Sequence, residues 1–228
     1  MKNYDIFLFD ADDTLYDFNK SEANALMTVF NNCALDFTED ILMIYREINA
    51  EIWAGYDKGE ISKEDLQTMR FSRLFHILGV KRDEADFNRQ YLAELGRGAF
   101  LINGAMEICK EIVFRGKAIF IVSNGILATQ EARLRQSLIK KYISGFFVSE
   151  IVGFKKPEVE FFEYVFSHIP QVGKDKILLV GDSLSSDIAG GNKVGIDTCW
   201  LNIGMRENDT DNKPTYEISG LRELLNII

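Results

Sequence analysis

Short apolar runs alternate with amphipathic stretches along most of this chain. Five runs, YDIFLF (4–9), KAIFIVS (117–123), GFFVSE (145–150), KILLVG (176–181) and DTCWLN (197–202), are rich in β-branched and aromatic residues and bounded by turn formers. That composition predicts strands. Most are apolar at odd and even positions alike, as expected of parallel strands covered on both faces. Helical patterns lie between them: AMEICKEIVF before the second, TQEARLRQSLIKKY after it, VEFFEYVFSHI before the fourth and SDIAGGNKVG after it. ISGLRELLNII closes the chain as a further predicted helix. Alternating strand and helix predicts an α/β fold with a doubly wound, Rossmann-like parallel sheet.

One connection is far too long for that scheme. Loops in α/β units run roughly two to six residues, yet the first and second strands are separated by everything from residue 10 to residue 116. The excess has helical periodicity. SEANALMTVFNNC places Ala25, Leu26, Val29, Phe30 and Cys33 on one face, ILMIYREINAEIW continues the pattern, and SKEDLQTMRFSRLFHILGV opens with a capping box of Ser62 and Asp65. Residues 16–96 therefore read as a helical cap inserted after the first strand of a core made of residues 1–15 and 97–228. Hinges are expected after Leu15 and at Gly96, Gly98 and Gly104, with the cap closing over the strand ends.

Composition narrows the function mainly by exclusion. With 46% hydrophobic and 27% charged residues the chain has the balance of an ordinary globule. A formal charge of −9 disfavours a nucleic-acid polymer as partner, since phosphate-backbone affinity needs a positive field. No apolar run has the length of a membrane span, and MKNYDIFLFD lacks a signal-peptide pattern. Cys33, Cys109 and Cys199 are few and widely spaced, so they read as small hydrophobes in a reduced cytoplasm. Two histidines, His76 and His168, are too few for a zinc site of Cys and His. Neither accompanies a nucleophile elbow or a cysteine signature, which disfavours Ser-His-Asp and Cys-His hydrolysis. A monomer or small homo-oligomer is expected.

Candidate chemistry gathers at the strand ends, where open α/β sheets bind ligands. The first strand runs into Asp10-Ala11-Asp12, followed by Asp13 and Asp17. The second ends in Ser123-Asn124-Gly125, the third leads to Lys155-Lys156-Pro157, and the fourth ends in GDSLSSD with Asp182 and Asp187. Crowded carboxylates repel and lose hydration at the edge of an apolar strand. A carboxylate nucleophile and a phosphate monoester repel by about 4 kcal/mol per pair of unit charges at 4 Å and an effective dielectric near 20. A hard dication held by oxygens removes that penalty, so Mg²⁺ is the expected cofactor. Ser123, with backbone N–H groups at a helix start, and a lysine suit phosphoryl oxygens. Residues two apart in an extended chain point the same way, roughly 6.5–7 Å apart, so Asp10 and Asp12 can take different roles around one phosphate. Asp13 and Asp17 read as turn or capping residues.

DADDT, SNG, KP and GDSLSSD, in this order and each at a predicted strand end, resemble the motifs of the haloacid dehalogenase superfamily, in its aspartate-nucleophile phosphatase branch. The resemblance implies Asp10 as nucleophile, Asp12 as general acid/base, Ser123 and Asn124 as phosphate-binding residues, and Lys156 as the motif lysine, with Lys155 its alternative. It implies Mg²⁺ on Asp10, Asp182 and the Asp12 main-chain carbonyl, with Asp187 supporting the metal shell. Dehalogenating members generally lack an acid at the position of Asp12, which disfavours that activity here. FDADDTLYDF and GEISKEDLQTMRF look like the noncanonical pyrimidine 5′-nucleotidases of bacteria, implying a small phosphomonoester substrate, pyrimidine nucleoside 5′-monophosphates foremost. Phosphoglycolate or a sugar phosphate is the alternative, followed by a phosphomutase or a non-catalytic metabolite-binding protein. Tyr16, Phe18, Trp53 and Phe71 are aromatic candidates for stacking on a base, unless they fill the cap's own core.

Overall fold

The computed structural model describes residues 2–228. The chain divides into two compact units, one formed by the segment up to Asn19 with Ala99–Ile228, the other by Lys20–Gly98. In chain order the elements are β1 (Ile6–Phe9), α1 (Phe18–Asn32), α2 (Glu39–Asp57), α3 (Lys63–Leu78), α4 (Glu84–Arg97), α5 (Ala105–Phe114), β2 (Ala118–Ser123), α6 (Leu127–Gln136), β3 (Gly145–Val148), α7 (Ser149–Val152), α8 (Val159–Ser167), β4 (Ile177–Gly181), α9 (Ala189–Val194), β5 (Asp197–Leu201) and β6 (Tyr216–Ile218).

Six parallel strands form one sheet in the order β3-β2-β1-β4-β5-β6. The order reverses at β1, whose Phe9 is level with Ile121 of β2 and Val180 of β4. That reversal is the switch point at which a doubly wound sheet opens a crevice. Alternate residues of the central strands feed two cores. Phe7, Phe9, Ile121 and Val180 lie in one with Ile108 and Ile112 of α5. Ile6, Leu8, Val122 and Leu179 lie in the other with Phe161, Phe162 and Val165 of α8. Each large apolar side chain buried in this way contributes roughly 1.5–3 kcal/mol, so β1 is held rigidly from both faces. Cys109 and Cys199 are buried free thiols, their ionisation pushed up to about 12 by burial, and they serve as small hydrophobes.

In the unit of Lys20–Gly98, side-chain caps fix the helix starts. Thr38, Ser62 and Asp83 accept hydrogen bonds from the backbone N–H groups of Ile41, Asp65 and Asp86, each such cap contributing about 1 kcal/mol. Gly79 ends α3 with a φ of +65°, which a side chain would strain. The interior is aromatic. Phe71 lies 4.9 Å from Phe87 and 5.3 Å from Tyr91, ring centre to ring centre.

The C-terminal segment differs from expectation. Ile218 belongs to β6, and Leu221–Asn226 form a 3-10 helix after Gly220 rather than one helix spanning ISGLRELLNII. A strand of three residues is too short to display a period of two. The third strand also stops at Val148, because Ser149 already starts α7.

Candidate active site

Asp10 follows β1 directly, and its backbone N–H donates to the carbonyl of Val180 at 2.9 Å. Pairing that continues one residue past the strand fixes where the carboxylate stands. The side chain is buried, and its Oδ1 accepts from Lys156 Nζ at 2.5 Å. The same ammonium donates to Asp187 Oδ1 at 2.6 Å and to the Val122 carbonyl at 2.8 Å. Its three protons thus have three acceptors. Burial alone would lower the ionisation of Lys156, but the charges of Asp10 and Asp187 outweigh it and hold the amine above its ordinary value. Lys155 lies outside this cluster, its backbone N–H donating to Glu158 Oε2 at 3.0 Å.

The other acids close in from β4. Asp187 is buried, and its Oδ2 accepts from the Ser183 N–H at 3.1 Å. Gly181 makes this approach feasible, since a Cβ there would lie 2.2 Å from Asp187 Oδ2 and 2.3 Å from its Cγ. Carboxylate oxygens of Asp10, Asp182 and Asp187 lie within 4.8 Å of one another. Burial, followed by the charge of Asp187, pushes Asp182 up to about 7. Asp10 is likewise raised well above the usual carboxylate range, by burial against the opposing pull of Lys156 and with the charges of Asp187, Asp182 and Asp12 adding to it. Three carboxylates whose hard oxygen donors lie this close together fit a hard dication such as Mg²⁺.

The Asp12 carboxylate lies outside that cluster. Gln130 Nε2 donates to its Oδ2 and Arg133 Nη1 to its Oδ1, both from α6. Neither residue figures among the expected site residues. Ser123 is buried at the end of β2, its Oγ accepting from the Gly125 N–H at 3.0 Å. Asn124 spends its side chain on the lysine loop: Nδ2 donates to the Lys156 carbonyl and Oδ1 accepts from the Lys156 N–H, each at 2.9 Å. The serine loop therefore positions the lysine loop. Asp13 caps the chain entering α1, accepting from the Phe18 N–H at 3.1 Å. Burial and the charge of Asp12 push it up to about 6.

Beside Asp182 a cavity of about 350 Å³ is lined by Asp13, Asp17, Ile203 and Arg206, among others. Arg206 Nη2 and Trp200 Nε1 both donate to the Asp182 carbonyl at 2.9 Å. Of the aromatic candidates, Phe71 is enclosed in the helical unit and Tyr16 is buried beneath Arg133. Phe18 and Trp53 remain half-buried, Trp53 meeting Tyr56 edge-on at 5.5 Å.

A family model described as haloacid dehalogenase-like hydrolase matches residues 4–195. Among known proteins, YfnB of Bacillus subtilis is 39% identical over 100% of this chain and 97% of its own. The pyrimidine 5′-nucleotidase PynA of Streptococcus pneumoniae is 34% identical over 99% and 95%, and the pyrimidine 5′-nucleotidase YjjG of Escherichia coli 32% over 97% and 96%. The magnesium-bound crystal structure of YfnB superposes with a TM-score of 0.93, covering 99% of each chain.

Proposed function

The chain belongs to the haloacid dehalogenase-like hydrolases, and from that membership and the site geometry we infer that it cleaves small phosphomonoesters through an aspartyl-phosphate on Asp10. It is a phosphoric monoester hydrolase of the 5′-nucleotidase-like kind. Pyrimidine nucleoside 5′-monophosphates are the substrates we propose, because two relatives matched along nearly their whole length carry that activity in their names. The observation that carries the mechanism is the buried Asp10 carboxylate, paired with Lys156 and sharing its surroundings with Asp182 and Asp187.

Asp10 attacks phosphorus while the P–O bond to the leaving group breaks, and Asp12 gives its proton to the departing oxygen. Asp12 then takes a proton from water, whose oxygen attacks phosphorus. The bond to Asp10 breaks and orthophosphate leaves. Ser123 and the backbone N–H groups at the start of α6 hold the phosphoryl oxygens, and the charge of Lys156, whose protons lie on Asp10, Asp187 and Val122, attracts them. Asp10, Asp182, the Asp12 main-chain carbonyl and the supporting Asp187 are the residues that would hold Mg²⁺. When bound, it neutralises the carboxylates and draws charge from the phosphoryl group.

The test is kcat/KM, with Mg²⁺, for UMP, dUMP and dTMP beside AMP, phosphoglycolate and several sugar phosphates. The pyrimidine nucleotides should lead. A sugar phosphate or phosphoglycolate ahead of every nucleotide by about tenfold, a margin that one pocket contact supplies, would overturn the nucleotidase reading and leave the general phosphatase.

A further inference from the structure

A buried arginine demands a reason. Arg133 is 0% exposed, and its Nε and Nη2 have no hydrogen-bond partner among the described residues. Taking a guanidinium out of water costs several kcal/mol, and an apolar side chain of similar volume often serves stability as well or better. The helix that carries it is otherwise polar, yet Thr129, Gln130 and Arg133 are its buried residues. Gln130 and Arg133, three apart, share one face.

Both converge on a single carboxylate. Gln130 takes one oxygen of Asp12 and Arg133 the other. The same guanidinium sits 5.3 Å from the centre of the Tyr16 ring. Tyr16 is itself tied into the turn around Asp12, its N–H donating to the Ala11 carbonyl at 2.9 Å and its carbonyl accepting from the Asp13 N–H at 2.7 Å. Gly125 leaves the path open, because a Cβ there would lie 2.4 Å from Gln130 Nε2 and 3.1 Å from its Cγ and Cδ. The glycine of the serine loop thus gives passage to the side chain that holds Asp12.

We propose that Gln130 and Arg133 are positioning residues that fix the Asp12 carboxylate for proton transfer to the leaving oxygen and from water. The proposal rests on Asp12 being the acid/base of the reaction above. An acid/base contributes about 10²–10⁴-fold only within hydrogen-bond reach of its proton partner, and a carboxylate clamped at both oxygens has lost the freedom to stray. The clamp leaves Asp10 and the phosphate-binding groups untouched, so its loss should slow both proton transfers and spare substrate affinity.

The test uses Gln130→Leu, Arg133→Met and Arg133→Lys with p-nitrophenyl phosphate and UMP in Mg²⁺. Gln130→Leu keeps the charge in place and serves if Arg133→Met fails to fold. With UMP, whose leaving group needs a proton, kcat should fall about a hundredfold with KM held within about twofold, and Arg133→Lys should recover most of it. With p-nitrophenyl phosphate, whose leaving group departs unaided, a burst of nitrophenolate matching the enzyme should precede slow turnover, and intact mass should show phosphate on the protein. In an Asp12→Ala background neither substitution should lower kcat further. A rise in KM at unchanged kcat, or a second full loss added to that of Asp12→Ala, overturns the positioning role. Unchanged kcat in Asp12→Ala alone refutes instead the acid/base reading on which it stands.

Discussion

Lys156 Nζ stands 2.5 Å from Asp10 Oδ1 across 146 residues of sequence, and the same nitrogen reaches Asp187 at 2.6 Å. One buried cation therefore serves two buried carboxylates contributed by different strand ends. Removing one partner of such a cluster leaves uncompensated charge, which costs about 3–5 kcal/mol. Lys156→Met should lower the stability of the folded protein by an amount of that order and abolish turnover. Denaturant unfolding with the variant matched to the parent is the measurement, and equal midpoints would show that the pair carries no such weight.

Asp182 offers a pH test in the chelated protein. Its folded value, pushed up to about 7 from an ordinary 3.8, means that the folded state binds the proton more tightly than the unfolded chain. The stability it contributes is thus fully present below the unfolded value and is lost as pH rises through the folded one. Between pH 3.8 and about 7 the chelated parent should lose stability relative to Asp182→Asn, with a slope of at most ~1.4 kcal/mol per pH unit for one proton. Saturating Mg²⁺ should stabilise the parent most at the upper end of that window. Parallel stability curves for parent and variant would contradict this.

Gly181 tests how tightly the acidic cluster is built. With a Cβ at 2.2 Å from Asp187 Oδ2, Gly181→Ala must displace the carboxylate that Lys156 binds. Overpacking of this kind costs about 1–3 kcal/mol, and kcat should fall with it. Thermal unfolding and steady-state kinetics measure both. A variant as stable and as active as the parent would mean that Asp187 has room to move at no cost.

The two central aspartates should separate by mass. Asp10→Asn should be inactive and never gain phosphate, whereas Asp12→Asn should react with a good leaving group and accumulate the covalent intermediate. Peptide mapping after incubation with p-nitrophenyl phosphate locates the modification, and phosphate on a residue other than Asp10 would rule out the assignment.

What could be read from the chain follows from how strongly each feature marks the sequence. Strands β1, β2 and β4 are buried on both faces, so their apolar runs are unbroken and their ends stand out. The acids and the lysine at those ends are legible because a carboxylate beside an apolar strand is rare without cause. Gln130 and Arg133 carry no such mark, since TQEARLRQ reads as a solvated helix. Only the packing of α6 shows that its buried face is polar. In β6, Tyr216–Ile218 hides in a polar stretch, and Asn202 on the preceding loop, with Nδ2 donating to Glu217 Oε1 at 2.7 Å, helps to hold it there. The clasp of Asn124 on Lys156 is equally invisible, because the two are 32 residues apart and the Asn124 amide meets the main chain of Lys156, which carries no mark in the sequence.

The acidic cluster has a consequence in plain valence. When all three are ionised, Asp10, Asp182 and Asp187 carry three negative charges on oxygens within 4.8 Å of one another, and Lys156 answers one of them. Asp12 and Arg133 are balanced between themselves and add nothing to the sum. Two charges are left over, the valence of a single divalent ion. Sodium or potassium would leave the cluster negative and still repelling an incoming phosphate dianion, however concentrated the salt. On this count the ion proposed for the site should be divalent, whatever its size or geometry.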